Sequence, residues 1–317
     1  MAVMAKLFIR QNFKYYLYLA VILIAVYGLV PQISYFHFSL NQLTRANWGY
    51  VYIASGWVLL TFPIAAMTYY LLAIEPIIFS RTVLIQFANN FANRLLPAGI
   101  GGIGVSFLYL KNNKHTNSQA AAVVTANDLL GMLGHFILAI LVLTIFSHQI
   151  VGLNLNRGLK FNDSELLIIL AVVMTVLGLS LYYKNRLITG VKRVLKDLYN
   201  YRKRPVKVGL ALLSSMALTL CNVVGLYFVS RGLNIDLSLA VTLIVFTLGI
   251  ALGVATPTPG GVGGVEAGMV IGLIAYGTPA AQALAVVLVF RLLSTWFPAL
   301  IGGVAFVIAE RRGYLKF

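Results

Sequence analysis

Two strongly apolar stretches of this 317-residue chain are broken by the same short motif. Pro97-Ala-Gly-Ile-Gly-Gly-Ile103 returns as Pro259-Gly-Gly-Val-Gly-Gly-Val265. Four of the seven positions are identical, and the others swap Ala for Gly or Ile for Val. Proline removes a backbone donor and clashes with the preceding turn, and clustered glycine disfavours helix. At membrane depth such breaks persist only where they line a cavity or are buried in protein. Paired interrupted segments in the two halves of a chain are the mark of a transporter built from repeats.

The remaining composition fits a membrane chain. It is 60% hydrophobic and 10% charged, with a mean hydropathy of +0.89. Apolar segments run roughly 15–35, 50–73, 82–110, 118–147, 166–183, 207–230, 237–277 and 280–309, most of them long enough to cross a bilayer. The single cysteine, Cys221, excludes an intrachain disulfide and a cysteine-based metal cluster. A net charge of +16 is compatible with nucleic acid in principle. Here the charge sits in short loops beside apolar spans, which is the pattern of positive-inside topology and anionic headgroups, so no nucleic-acid partner is expected. Lys6, Arg10 and Lys14 precede the first apolar run, and no small-residue cleavage site follows it. It reads as a retained span.

Charge placement decides how the broken segments lie. If 82–110 crossed once, the nine Lys/Arg of 184–207 would fall outside, against the positive-inside rule. If each broken segment is a hairpin entering and leaving on one side, the cytoplasmic side holds 18 Lys/Arg and the outer side four: Arg45, Arg157, Lys160 and Arg231. The first half then reads span, span, hairpin from inside, span. The second half is the same unit inserted the other way. The expected fold is an all-α polytopic membrane protein of two inverted repeats, each with three transmembrane helices and one re-entrant hairpin. Residues 1–317 form a single membrane domain. The first repeat is 1–150 with its hairpin at about 82–110, and the second is 166–317 with its hairpin at about 237–277. Both termini are expected in the cytoplasm. Segment 184–206 reads as a basic amphipathic helix on the cytoplasmic surface. It either recruits anionic lipid or simply sets topology.

Four charged residues fall within the apolar segments: Arg94, Asp128, Glu266 and Arg291. Unpaired at mid-depth they cost about 3 kcal/mol each on insertion scales. They must therefore pair, snorkel or face water, and they are the substrate or gating candidates. The offset between the two motifs, Pro97 to Pro259, is 162 residues, which places Asp128 and Arg291 at nearly equivalent depths. They are expected to form a buried ion pair or to flank one polar cavity. Glu266 follows the second break, where a carboxylate offsets the positive end of a helix, or binds a proton or gates substrate. Arg94 follows Asn89, Asn90 and Asn93, a polar stretch suited to a phosphate or headgroup if it faces a cavity. His135 lies seven residues from Asp128 and reads as a packed histidine. The backbone candidates are Pro97, Gly99, Gly101, Gly102, Pro257, Pro259, Gly260, Gly261, Gly263 and Gly264. No Walker GK[ST] follows either glycine cluster, and no catalytic triad or metal-ligand spacing stands out. Neither an enzyme nor a cofactor or metal is expected.

Ala255-Thr-Pro-Thr-Pro-Gly-Gly-Val-Gly-Gly-Val-Glu-Ala-Gly268 and Phe290-Arg-Leu-Leu-Ser-Thr-Trp-Phe-Pro-Ala-Leu-Ile-Gly302 resemble the lysylphosphatidylglycerol synthetase transmembrane, or flippase-like, family. Asn93-Arg-Leu-Leu-Pro-Ala-Gly99 matches its first half. The resemblance implies an inner-membrane protein with re-entrant helices that moves lipids between leaflets. Pro259, Gly260, Gly261, Glu266 and Arg291 are the matched motif positions. The leading reading is a flippase for a lipid or lipid-linked precursor working by alternating access, with anionic phospholipid or a polyprenyl-phosphate favoured. The alternatives are a small-solute secondary transporter and a non-transporting partner of a lipid-modifying enzyme or glycosyltransferase.

Overall fold

The computed structural model describes residues 46–96, 99–145, 199–256 and 258–316. The expected spans at 15–35 and 166–183, most of the amphipathic segment 184–206, and Pro97 and Pro257 lie outside these residues. The regular elements among the described residues are helices: α1 (Trp48–Leu72), α2 (Phe79–Leu95), α3 (Ile100–Asn112), α4 (Asn117–Ile145), α5 (Pro205–Gly232), α6 (Leu239–Ala255), α7 (Gly264–Ala275) and α8 (Ala280–Arg311). A single 3₁₀ turn, Asn200–Lys203, precedes α5. Four of these helices, α1, α4, α5 and α8, are long and apolar enough to cross a membrane.

Local chemistry sets the boundaries. Asn47 and Ser238 cap α1 and α6 by accepting from the N–H groups of Gly49 and Val241. Thr116 and Gln119 exchange side chain-to-backbone hydrogen bonds at the start of α4, a reciprocal cap. Pro205 opens α5 at its first position, where its missing N–H costs nothing. Inside α8 the turn Leu292–Trp296 is π-helical and ends two residues before Pro298. Pro298 cannot donate back to the preceding turn and its ring crowds that carbonyl. A widened turn accommodates both effects.

Each broken segment is an antiparallel pair of short arms. In the first, Asn89 Nδ2 donates to Ser106 Oγ at 2.8 Å, and the Thr82 and Tyr109 hydroxyls lie 2.9 Å apart. In the second, α6 and α7 lie backbone against backbone: a Cβ on Gly268 would sit 2.5 Å from the Leu248 carbonyl oxygen. At 1.5 Å per residue, the 17 residues of α2 span roughly 26 Å and the 12 of α7 roughly 18 Å. Neither crosses a hydrocarbon core of about 30 Å alone.

The long helices fix the directions. The α1–α5 pair is the most extensive helix contact, and it is antiparallel: Val51 packs at Gly232, Val58 at Gly225, and the Ser214 hydroxyl donates to Ile64 O at 2.9 Å. Helix α2 runs antiparallel to α8, with Phe87 against Gly302 and the Arg81 guanidinium over the Tyr314 ring at 4.8 Å. One end of the bundle gathers Leu72, Asn112, Tyr201 and Tyr314, where the Tyr201 hydroxyl donates to Leu72 O at 2.6 Å and Asn112 Nδ2 to Tyr314 O at 3.2 Å. At the other end the Asn47 N–H donates to Gly232 O at 2.7 Å. Helices α1 and α8 therefore run one way, and α4 and α5 the other. The α2–α3 hairpin enters from the Leu72 end and the α6–α7 hairpin from the Gly232 end.

Two apolar cores follow from this arrangement. One joins Val51, Ala54 and Val58 of α1 to α5, α6, α7 and α8. The other joins Tyr69 and Leu72 of α1 to α2, α3 and α4. Each hairpin is thus clamped at its own end of α1. His115, in the α3–α4 loop, ties the first hairpin to the α1–α2 connection. Its Nε2 accepts from the Glu75 N–H at 3.1 Å, and Nδ1 lies 3.1 Å from the carbonyls of Leu110 and Asn113. Burial holds its pKa below the ordinary histidine value. Protonation would end the role of Nε2 as acceptor, so this tie is present above the ordinary histidine range and weakens as pH falls.

Candidate functional site

The two hairpin tips meet inside the bundle. Arg94 stands in the last turn of α2. Beside it, Asn93 Oδ1 accepts from the Gly102 N–H at 2.6 Å and closes the first tip. A Cβ on Gly101 would lie 2.0 Å from Ala92 O, so that position takes no side chain. At the second tip Gly260, Gly261 and Gly263 all have positive φ, as Gly99 does at the first. Glycine occupies this region without steric penalty. Gly102 and Gly264 are helical, and their need is space rather than φ: their Cβ atoms would meet Asn93 and Thr256.

The contact between the tips is polar. Arg94 Nη1 donates to Gly260 O at 3.0 Å. Arg291, 6% exposed on α8, donates to the same carbonyl through Nη2 at 3.2 Å. Its Nε donates to Glu266 Oε1 at 2.6 Å. The other oxygen of Glu266 accepts from the Gly263 N–H at 2.7 Å, so one carboxylate serves the helix cap and the ion pair together. Two guanidinium groups thus converge on one backbone oxygen with a single carboxylate beside them.

The ion pair expected between Asp128 and Arg291 is not what forms. Arg291 is paired with Glu266. Asp128 accepts from Asn127 Nδ2 at 3.1 Å and makes no ion pair among the described residues. The repeat offset gives depth, not direction around a helix. Helix α8 packs chiefly on α2 and α7, and α4 on α5, so residues at one level face different neighbours. What Asp128, Arg291 and Arg94 share is a cavity of about 930 Å³. Glu266 sits behind Arg291, outside its lining. His135 lines the cavity and packs against the Phe246 ring at 6.1 Å between centroids.

Apart from Asn89, Asn93 and His135, the neutral polar groups in this lining were not singled out from sequence. Ser215, Thr219 and Asn222 of α5 recur at helical spacing and line it, as do Thr68, Gln86 and Thr247. The spacing of three hydroxyl or amide side chains along one face of an apolar helix was the available signal. Ile103, Met132, Phe136 and Val254 also line the cavity, and their exposure of 44% or more marks these large apolar side chains as its rim.

A sequence model of the family described as "Lysylphosphatidylglycerol synthase TM region" matches residues 16–302. The chain belongs to this family. The resemblance carried by the two Pro/Gly motifs is therefore borne out, and the protein is an integral membrane protein of the lysylphosphatidylglycerol synthase TM family. It is also similar to a "UPF0104 membrane protein" of Methanothermobacter thermautotrophicus, 23% identical over 215 residues. That match covers 68% of this chain and 59% of the archaeal protein.

Proposed function

We propose that this protein moves a lipid or lipid-linked precursor between leaflets, by alternating access around two opposed hairpins. The observation that carries the reading is the meeting of both hairpin tips at Gly260, on a cavity charged within and apolar at its rim. A headgroup would enter the charged interior while its acyl chains pass Met132, Phe136 and Val254 and stay in the bilayer. An enclosed small-solute site has no need of such a rim.

Reading the two halves as inverted repeats fits the same mechanism. The 162-residue motif offset carries α1, α2, α3 and α4 onto α5, α6, α7 and α8 with only small differences in their ends. The equivalent helices α1 and α5 run in opposite directions, and so do α4 and α8. Two related halves inserted oppositely can exchange inward-facing and outward-facing forms around one central site. Arg94, Asp128 and Arg291 are the substrate-facing charges of this site, and Glu266 is the gating carboxylate that holds Arg291. The Leu72 end is cytoplasmic, in the cell inner membrane, with both termini on that side.

Topology is tested by labelling single cysteines in a Cys221→Ser background. Cysteine at Asn113 or Arg202 labels only from the cytoplasm, and at Asn154 or Asn234 only from outside. Labelling of Asn113 from outside would remove the first hairpin and the inverted repeat with it.

Transport is tested in proteoliposomes containing fluorescent lipids. The expected result is faster exchange between leaflets than in empty vesicles, with anionic phospholipid or polyprenyl-phosphate ahead of zwitterionic lipid, and loss of that acceleration in Arg94→Gln. If no lipid moves faster than in empty vesicles, the protein is instead a membrane partner of a lipid-modifying enzyme or glycosyltransferase.

A further inference from the structure

Seven buried side-chain polar atoms have no hydrogen-bond partner among the described residues, and five of them belong to side chains that line the central cavity. They are Gln86 Nε2, Asn89 Oδ1, Arg94 Nε, His135 Nε2 and Thr247 Oγ1. Buried polar groups are normally paired, because leaving one unmade costs about 1–3 kcal/mol. All five atoms are closed to solvent in this form, and clustered around one cavity they are the groups a polar ligand pairs with once the hairpin tips part.

The five atoms differ in kind. Asn89 spends both amide hydrogens, on Gln86 Oε1 at 3.1 Å and Ser106 Oγ at 2.8 Å. This leaves a free acceptor on Asn89 and a free donor on Gln86, on two residues that are each 8% exposed. Arg94 Nε is a donor only, while Thr247 Oγ1 and a neutral His135 ring can each act either way. A fully ionised phosphate only accepts and cannot satisfy Asn89. A quaternary ammonium neither donates nor accepts. Hydroxyl groups do both, and ring or chain polyols present several at once.

We infer that the headgroup carried through this cavity is a sugar-like polyol joined to a phosphate. The phosphate lies at Arg94 and Arg291, taking the place beside them that Gly260 O now fills. The hydroxyls lie across the cavity at Gln86, Asn89 and Thr247. This inference rests on the transport reading above and specifies its substrate class. Filling of the same atoms by water alone predicts no preference among phosphate-bearing headgroups.

The test uses the full chain in liposomes with four lipids of identical tails and label: phosphatidylinositol, phosphatidylglycerol, phosphatidic acid and phosphatidylcholine. Phosphatidylinositol should exchange fastest, with phosphatidylglycerol next. In Asn89→Leu, and separately in the conservative Thr247→Val, the ratio of the phosphatidylinositol rate to the phosphatidic acid rate should fall about fivefold, the equivalent of about 1 kcal/mol for one hydrogen bond. Uptake of labelled free inositol phosphate into the same vesicles separates a water-soluble substrate from a lipid: transport of the free sugar phosphate overturns the lipid form of the proposal, whereas competition without its transport agrees with a headgroup site. If phosphatidic acid moves as fast as phosphatidylinositol, transport stands and the polyol inference falls. If nothing moves, retention of each lipid by the purified protein in native mass spectrometry decides. Preferential retention of phosphatidylinositol keeps the headgroup assignment without transport, and equal retention overturns it.

Discussion

Arg291→Leu should lower stability in detergent by about 3–5 kcal/mol, the usual cost of removing one member of a buried ion pair. The leucine leaves Glu266 charged and enclosed: side-chain exposure is 8% for Arg291 and 14% for Glu266. It also removes one of the two donors to Gly260 O. The double variant Glu266→Gln with Arg291→Leu should recover much of the loss, because the Gln carbonyl can still accept from the Gly263 N–H while no unpaired charge remains. Arg94→Leu is the contrasting case. Arg94 gives one hydrogen bond to Gly260 O and has no carboxylate among its hydrogen-bond partners, so its loss should cost much less stability while abolishing lipid movement. Thermal unfolding in detergent beside the liposome assay separates the two. Equal destabilisation by Arg94→Leu and Arg291→Leu would show that Arg94 is structural, and would remove it from the proposed substrate site.

Much of this architecture was legible in the chain. The four described spans and both hairpins fall within about three residues of the segments read from hydropathy. Apolar runs in a membrane leave the backbone one solution, and the Pro/Gly breaks mark where that solution stops. The polar stripe Gln86, Asn89, Asn93 was half visible as an asparagine-rich arm, and helical spacing puts all three on the face that meets α3 and the cavity. The partner of Arg291 was not legible. The motif offset pointed to Asp128 because it equates depths, but pairing also depends on the direction in which each side chain leaves its helix. Glu266 held its own clue. It stands three residues after Gly263, the position from which a carboxylate reaches back to the helix start, and a side chain so placed is turned toward the tip. The convergence of two arginines on Gly260 O has no trace in sequence, since a backbone carbonyl carries no residue label.

Gly302→Ala should be among the most damaging single-methyl additions at the described glycines, although Gly302 lies outside both Pro/Gly motifs. A Cβ there would sit 2.2 Å from Phe87 O and 3.0 Å from Phe91 Cβ. The nearer atom is backbone and cannot rotate away, so α8 and α2 must separate. Overpacking of a well-packed contact costs typically about 1–3 kcal/mol. Here the displaced helix also carries Arg94 at its far end, and the first tip would shift relative to Gly260. The expected result is a lower unfolding temperature together with loss of lipid exchange. Gly104→Ala is the matched control. Gly104 belongs to the glycine-rich start of α3, yet a Cβ there meets nothing within 4 Å. Alanine is favoured over glycine in a helix by about 1 kcal/mol, so this variant should be neutral or stabilising and should transport normally. Reversed outcomes, with Gly302→Ala tolerated and Gly104→Ala defective, would mean that the α2–α8 contact does not position the first hairpin and that the outer face of α3 meets a neighbour.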